Sequence, residues 1–423
     1  MRLATLALIA VVAWGCASGK RAYTDGMALE TSGDYAAASD AYATALERDP
    51  SLPNVAGRLA VAGREAVRQA VARAAGLDPE GAALSYRRAQ ALVDRAAALG
   101  VDFRRPARFE ADRDAAYAAA VDALLDGGTR AYDAADFPGA LDRAARARTF
   151  GPSAGQADAL DRLVLDTRQA WAEADLDAGH VRAALAHADA ALALGPDPAR
   201  AVALEDLRGA IVDAGRLVVA VFPTEGGDLP EAFRRDLTDA LADDHLRDAG
   251  PFVVLVDPAD VRRWDRGRRR GPALGDSPRR LGRAALDLGA DLGAVVVLGD
   301  LSEREVAGDA RAETVRVRST GDDAVISARQ IQIDLTTNAD VVVVDAGGRP
   351  VCDVAVEARG RASYDRATTA GDWRALDLSR RQRAAFADDA ADRAYSDALV
   401  DLREHLAQAV ADRLRECLDA RVP

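Results

Sequence analysis

Lysine is almost absent from this chain. Lys20 is the only lysine among 423 residues, although lysine and arginine together number 55. The preference for arginine over lysine extends over the whole chain, so we attribute it to GC-rich codon usage and not to a binding site. The net charge of −13 disfavours nucleic acid as a partner, because an acidic surface repels phosphates. Aromatic residues, 5% of the chain, do not alternate with basic residues as a single-strand binding site would require.

Histidine and cysteine are also scarce, with four and three residues. His180 and His187 lie two helical turns apart, but no further histidine or cysteine follows at the spacing of a zinc site. No Ser, His and Asp arrangement, no HExxH and no paired CxxC motif stands out, and His245 and His405 fall within helical patterns as surface residues. We therefore expect a protein that is not an enzyme and that holds no metal or cofactor.

A glycine-bearing loop, Thr224 to Asp228, follows the apolar strand at 217–223. A strand, a glycine turn and a helix also describe a phosphate cradle, but this loop lacks the third glycine of a dinucleotide site and the lysine of a P-loop. Its two carboxylates would also repel phosphate. We interpret the loop as the start of a helix, with Asp228 as the N-cap and Glu231 completing a capping box.

The N-terminus has the order of a lipoprotein signal peptide. Arg2 supplies a positive charge, and an apolar run from Leu3 to Trp14 is too short to span a bilayer comfortably. With the cysteine that follows, this order resembles the bacterial lipobox, in which a cysteine receives a diacylglyceryl thioether and becomes the mature N-terminus. The resemblance implies removal of residues 1–15 and lipid attachment at Cys16. An ordinary secretory peptide is the alternative.

Residues 16–21 would then form a short tether. In proteins with this lipobox, the residue after the cysteine influences sorting between membranes. Ala17 in place of aspartate is compatible with a location at the periplasmic face of an outer membrane. Export also places Cys352 and Cys417 in an oxidising compartment. Both lie on stripes predicted to face the core, so a disulfide between them is one interpretation and buried free thiols are the other.

Residues 22–215 contain a weak internal repeat. In most copies an aromatic residue opens the second helix of the unit, small residues follow at fixed offsets, and proline ends the helix. The pattern resembles the tetratricopeptide repeat, with Gly26 and Gly128 at small-residue positions of the first helix. The resemblance implies a concave groove for a peptide or protein partner; a helical spacer is the alternative. The matching positions are Asp34, Tyr35, Ala38, Tyr42, Ala45 and Pro50; Tyr86, Ala89, Val93 and Ala96; Asp136, Phe137, Ala140, Ala144, Ala147 and Pro152; and Val181, Ala184, Ala188, Ala191 and Pro196.

Residues 216–423 are predicted to form an α/β domain with a mixed sheet. The stretch Leu288 to Leu301 ends a helix at Gly289 and enters a continuously apolar strand, which is typical of a sheet covered on both faces. With the strand motifs at 219–223 and 252–261, it resembles the domain of the curli secretion-channel lipoprotein CsgG and related bacterial envelope lipoproteins. That resemblance implies either an assembly module or a subunit of an export channel.

The end of the chain is predicted to form a hairpin and a long helix. Val341 to Val344 and Val351 to Tyr364 flank a turn with two glycines, and the second segment alternates apolar and polar residues. A helix over 388–418 is expected to close the sheet with one apolar stripe. The stripe consists of Tyr395, Leu399, Leu402, Leu406, Val410, Leu414 and Cys417.

One dense basic run interrupts this domain. Contact with anionic lipid headgroups or another acidic envelope polymer is one interpretation, and a solvated loop is the other. The residues considered for such contact are Arg262, Arg263, Arg266, Arg268, Arg269 and Arg270.

A second hairpin, Ala310 to Leu335 around the turn at 320–323, is the best candidate for membrane insertion. Charges on both faces of its first strand make it unfit for lipid. We therefore expect a non-enzymatic, lipid-anchored envelope protein. Its repeats would bind a protein partner, and its α/β domain would assemble, including as a homo-oligomer. A subunit of an outer-membrane export channel is the alternative.

Overall fold

The computed structural model describes residues 19–247, 249–267 and 273–422. The chain folds into two compact units. The helical unit comprises the described residues up to Ala174 together with 186–205, and the sheet unit comprises 175–185 and the chain from Asp206 onward. The expected N-terminal helical array is present, and so is the expected mixed sheet followed by a C-terminal helix.

Nine helices are defined before the first strand in the described part of the chain. The helices α2, α4 and α6 begin in the same way, because an aspartate side chain accepts a hydrogen bond from the amide three residues later. Each cap satisfies an amide that has no partner within the helix. The helices are α1 (residues 19–31), α2 (Tyr35–Arg48), α3 (Val55–Ala74), α4 (Pro79–Ala98), α5 (Phe109–Asp133), α6 (Phe137–Arg148), α7 (Ala154–Asp177), α8 (Val181–Leu192) and α9 (Pro198–Ala214).

Small residues let successive helices of the helical unit approach closely. Each of the helices α2 to α5 packs against the next one along the chain. A Cβ atom at Gly26 would lie 2.6 Å from the ring of Tyr42, and one at Gly128 would lie 2.7 Å from Leu163. Both distances are shorter than van der Waals contact, so a larger residue at either position would displace the neighbouring side chain. The alanines of the repeat pattern are buried throughout.

The sheet unit contains nine strands and five further helices within the described residues. Strand order is β3-β1-β4-β7-β6-β9, while β2 pairs with β4 and both β5 and β8 pair with β7. The strands are β1 (Leu217–Val221), β2 (Glu225–Gly226), β3 (Val253–Leu255), β4 (Leu292–Leu298), β5 (Ser302–Ala307), β6 (Arg311–Val317), β7 (Asp323–Asp345), β8 (Pro350–Thr369) and β9 (Leu376–Asp377). The helices are α10 (Glu231–Asp239), α11 (Pro258–Gly267), α12 (Pro278–Asp287), α13 (Arg380–Ala384) and α14 (Ala390–Asp419).

The continuously apolar strand predicted after Gly289 is β4, at the centre of the sheet. It is almost entirely buried, and it pairs in parallel with β1 and antiparallel with β7. The preceding helix α12 ends at Asp287, and Gly289 has a φ of +69°. A residue with a side chain rarely adopts that left-handed conformation, which explains the glycine between helix and strand.

The hairpin of β7 and β8 is much longer than the sequence pattern predicts. Strand β7 has 23 residues and β8 has 20. The ladder runs from Val343 opposite Cys352 to Ile326 opposite Thr369. On its other edge β7 pairs in succession with β4, β5 and β6. One strand therefore joins the buried α/β core to an exposed, polar end of the sheet.

The two faces of β7 have different neighbours. Odd-numbered residues such as Ile333 and Val341 belong to a core that includes Leu402 and Leu406 of α14. Even-numbered Val344 packs instead with residues of α11 and α12. The alternation follows from the two-residue period of a strand.

The predicted capping box at the start of α10 is wrong. Pro230 occupies the N-cap position, and no side-chain hydrogen bond caps this helix. The glycine loop before it instead pairs with β4 as the short strand β2. Asp228 is therefore drawn away from the helix start, because the loop follows the sheet for two residues longer than the pattern indicates.

Candidate interaction surfaces

No group of three or more His, Cys, Asp and Glu side chains within residues 19–247, 249–267 and 273–422 could hold a metal ion. The two histidines of α7 to α8 do not converge. His180 is exposed, whereas His187 stacks on Trp171 with ring centroids 3.8 Å apart and contacts Arg168 at 3.0 Å. In the same described ranges, no helix combines the length and the apolar character needed to cross a membrane.

A buried tyrosine joins the first three helices of the helical unit. The hydroxyl of Tyr42 on α2 donates a 2.5 Å hydrogen bond to Glu30 on α1, and Arg58 on α3 forms a 2.9 Å ion pair with the same carboxylate. Burial, followed by the hydrogen bond to Glu30, raises the pKa of Tyr42 to about 12. The Tyr42 hydroxyl therefore stays protonated at physiological pH. Its contacts with Glu30 and Arg58 connect α1, α2 and α3.

Arginines link the second helices of successive pairs. Arg95 on α4 contacts Glu47 at 3.0 Å and Asp40 at 2.9 Å on α2. The hydrogen bond from Arg95 lowers the pKa of Glu47. Arg146 on α6 forms the corresponding ion pair with Glu80 on α4. Exposed pairs of this kind contribute about 0.2–1 kcal/mol each. They therefore add little to stability, although they link α2 to α4 and α4 to α6.

The basic run considered for contact with anionic surfaces is partly neutralised. Arg262 pairs with Asp239 at 2.7 Å, and Arg263 pairs with Asp260 at 2.6 Å. Arg266 is exposed at the end of α11. Arg268, Arg269 and Arg270, like Cys16 and the signal peptide 1–15, lie outside the described residues.

The glycine loop after β1 is shaped by contacts with β4. Gly226 and Gly227 have φ values of +78° and +66°, and a Cβ atom on either would lie 2.6 Å from a backbone oxygen at the end of β4. The carboxylate of Glu225 accepts hydrogen bonds from the amides of Leu274 and Gly275 at 2.8 and 2.9 Å. Both glycines and the carboxylate therefore have structural partners.

The two cysteines of the sheet unit are joined. Cys352 at the start of β8 and Cys417 near the end of α14 form a disulfide, with Cα atoms 6.2 Å apart. Nearby, the guanidinium of Arg182 donates to the carbonyl of Val422 at 3.0 Å. The C-terminal end of α14 is thus held to the start of β8, and the chain after it is held to the 175–185 segment.

A cavity of about 370 Å³ lies between α13 and the far end of the sheet. Ala328 and Ala367 face each other in its floor and leave the space open. Arg381 pairs with Asp365 at 2.8 Å across one wall. The charged residues that line it are Asp309, Arg311, Glu313, Arg329, Asp365 and Arg381. Equal numbers of opposite charges favour neither an anion nor a cation, and the sequence pattern did not indicate this cavity.

No protein-family model matches the chain, and no curated protein matches it. The functional argument therefore depends on the residues and contacts described above.

Proposed function

We propose that the chain is a non-enzymatic, membrane-anchored envelope lipoprotein. Lipid on Cys16 would hold it at the periplasmic face of the outer membrane. It acts there as a protein-binding scaffold or assembly factor for an envelope or secretion system. The helical unit binds the protein partner, and the sheet unit, which we take to be CsgG-like, docks or self-associates.

The observation that carries this proposal is the stacking of helix pairs through small residues. Three second helices begin at the predicted residue, whereas α4 begins at Pro79, seven residues before Tyr86. The repeat alanines are buried, and Gly26 lies against Tyr42 at the predicted close approach. These features support a tetratricopeptide-like array, whose first helices line a groove. The first helices α3, α5 and α7 have 20, 25 and 24 residues, which accounts for the long repeat spacing.

The contacts of α14 support a sheet that is covered along β8. We infer that this helix closes the sheet, because its residues Leu402, Leu406 and Val410 share a core with β7. The side chains of Asp401 and His405 also contact backbone groups of β8, at the amide of Arg361 and the carbonyl of Arg359. Covering a strand edge in this way prevents indiscriminate pairing with other chains.

The export-channel alternative has one observation in its favour, the length of β7 and β8. A membrane-crossing strand needs about 9–11 residues, and both strands exceed that. The composition of the hairpin opposes it, because Arg311 and Glu313 share one face of β6 and Arg316 lies on the other. A charged residue at the bilayer midplane costs about 2–4 kcal/mol.

Site-specific photo-crosslinking in the native envelope tests the proposal. Three exposed valines give matched probe positions: Val61 on α3, Val325 on β7 and Val400 on α14, which are 53%, 60% and 46% exposed. We expect a crosslinked partner from Val61 that is absent from the other two positions. Partner crosslinks from Val325 or Val400 alone would contradict binding by the array.

The anchor is tested separately. Cys16→Ala should release the protein into a soluble fraction or leave the signal peptide uncleaved. Membrane retention after correct processing would refute lipid attachment. Release of a trapped dye from liposomes by the lipidated protein, together with ring-shaped oligomers in detergent, would favour the channel instead.

A further inference from the structure

The hairpin of β7 and β8 leaves one part of its surface uncovered. Ile333 and Tyr364 lie on the face that joins the core shared with α14. Farther from the core, the same face becomes exposed. Four exposed polar side chains lie there, and we name them the donor quartet: Ser327, Arg329, Arg366 and Thr368.

The strand register brings these four side chains together. Arg329 is directly opposite Arg366, and Ser327 is directly opposite Thr368. Directly opposite residues have Cβ atoms about 4.5–5.5 Å apart. Rows two residues apart on one strand are separated by about 6.6–6.8 Å. The quartet is therefore a compact square in which two guanidinium groups lie beside two hydroxyls.

In this square two like charges lie directly opposite each other. Like charges directly opposite each other in a ladder are destabilising. On the same face β6 contributes Ala312 opposite Ser327, Thr314 opposite Val325 and Arg316 opposite Asp323. Asp365 lies on the other face, where it pairs with Arg381 at 2.8 Å.

No ion pair or side-chain hydrogen bond satisfies any member of the quartet within the part of the chain that the structure describes. All four side chains can donate hydrogen bonds. Arg329 also lines the cavity beside α13, but no carboxylate there forms an ion pair with it among the described residues. An anion placed between the two guanidinium groups would remove the repulsion. The arrangement thus has the composition of an anion site.

We propose that the donor quartet binds the phosphate group of a soluble phosphorylated molecule. A guanidinium donates two parallel hydrogen bonds to phosphate oxygens, and each hydroxyl can donate one more. Two guanidinium groups and two hydroxyls on adjacent rungs of one face suit a single tetrahedral oxyanion better than an extended charged surface. The repulsion between Arg329 and Arg366 becomes an attraction of both for the ligand.

Inorganic phosphate is the probe for the test. Line broadening of its ³¹P resonance, and thermal unfolding in phosphate and in chloride at equal ionic strength, should both reveal binding to the purified protein. We expect Arg366→Thr to weaken binding about tenfold or more, since hydrogen bonds to charged groups are individually strong. Arg329→Lys keeps the positive charge but cannot donate two parallel hydrogen bonds from one planar group. It should therefore weaken phosphate binding less than Arg366→Thr does. Arg304→Thr removes an exposed arginine from β5 and should leave binding unchanged.

A second measurement separates a ligand site from a merely structural arginine. In chloride, Arg366→Thr should unfold at the same temperature as the unmodified protein or at a higher one, because the variant no longer contains the like-charged pair. A clear fall in that temperature would assign the arginine a structural role. Equal stabilisation by phosphate and chloride would also overturn the proposal. So would binding to phosphatidylglycerol vesicles, lost in Arg366→Thr, without binding of inorganic phosphate.

Discussion

The two units achieve close packing in different ways. In the helical unit, glycines lie against aromatic rings, as Gly26 does with Tyr42 and Gly63 with Phe103. In the sheet unit, Gly360 of β8 lies against backbone, and a Cβ atom there would be 2.2 Å from the carbonyl oxygen of Ala398. A ring can rotate or shift, whereas the backbone of a packed helix cannot. Helix contacts in the array are therefore adjustable, and the contact between sheet and helix is not.

The disulfide should have the largest effect, and only on the sheet unit. Cys352 and Cys417 are separated by 65 residues, and closing a loop of that length stabilises by about 4 kcal/mol in the chain-entropy account. Replacing both with serine should lower the free energy of unfolding of the sheet unit by that amount in urea titrations. The transition of the helical unit should not move.

Alkylation provides the control for the disulfide. The unfolded but unreduced protein should show neither of these two thiols labelled, and reducing agent should not affect the doubly substituted variant. Labelling of both thiols before reduction would show that no bridge forms.

Gly360→Val should have the next largest effect. The new side chain would collide with the backbone of α14 at Ala398 and Leu402, so the helix must separate from β8. Overpacking of this kind costs about 3 kcal/mol. Gly371→Val is the matched control, because nothing lies within 4 Å of a Cβ atom there. Equal stability of the two variants would refute the rigid contact.

Alkaline pH should act on the helical unit through Tyr42. Its pKa is raised to about 12 from 10.0 in the unfolded chain. Below pH 10 both states keep the proton and the contribution is complete; as pH rises toward 12, the unfolded state releases it first. The helical unit should therefore lose about 2 kcal/mol over this interval.

Tyr42→Phe tests that interval directly. In this variant, the unfolding transition of the helical unit should depend less on pH between 10 and 12. The sheet unit's transition in the same sample serves as the internal reference. An unchanged slope in the variant would exclude Tyr42 as the titrating group.

Gly26→Ala should have the smallest effect of the four. Alanine gains about 1 kcal/mol of helix propensity over glycine, but the ring of Tyr42 must move to accommodate it. We expect a net loss of about 1 kcal/mol. Gly57→Ala on α3 meets no atom within 4 Å and should stabilise the unit instead. If both substitutions changed the free energy of unfolding in the same direction, the interpretation of the Gly26 contact would be wrong.

Local patterns predicted the elements whose signals are contiguous. The apolar run of β4 and the glycine at 289 predicted a helix-to-strand junction, and the alanine offsets predicted buried positions on helices of the N-terminal array. Strand β5 gave no such signal, because all six of its residues are exposed and it is specified only by pairing with β7. The capping box at Asp228 failed for a similar reason, since pairing with β4 controls that loop.

The proposed anion site could not be found from the sequence. Arg329 and Arg366 are 37 residues apart, and only the register of the ladder places them opposite each other. A shift by one residue would move one of them to the other face of the sheet. The separation of the cysteines hides their proximity in the same way.

The single long strand β7 also has a kinetic consequence. Its partners in β8 are only 9 residues away at the turn, between Val343 and Cys352, and 43 away at the far end, between Ile326 and Thr369. Each residue pair that forms between β7 and β8 shortens the loop that the next pair must close. The ladder can therefore form progressively, starting at the turn. Contacts of low sequence separation form fastest. We expect the hairpin to assemble before the parallel pairing of β1 with β3 and β4, and the rung between Arg329 and Arg366 to be among the last to close.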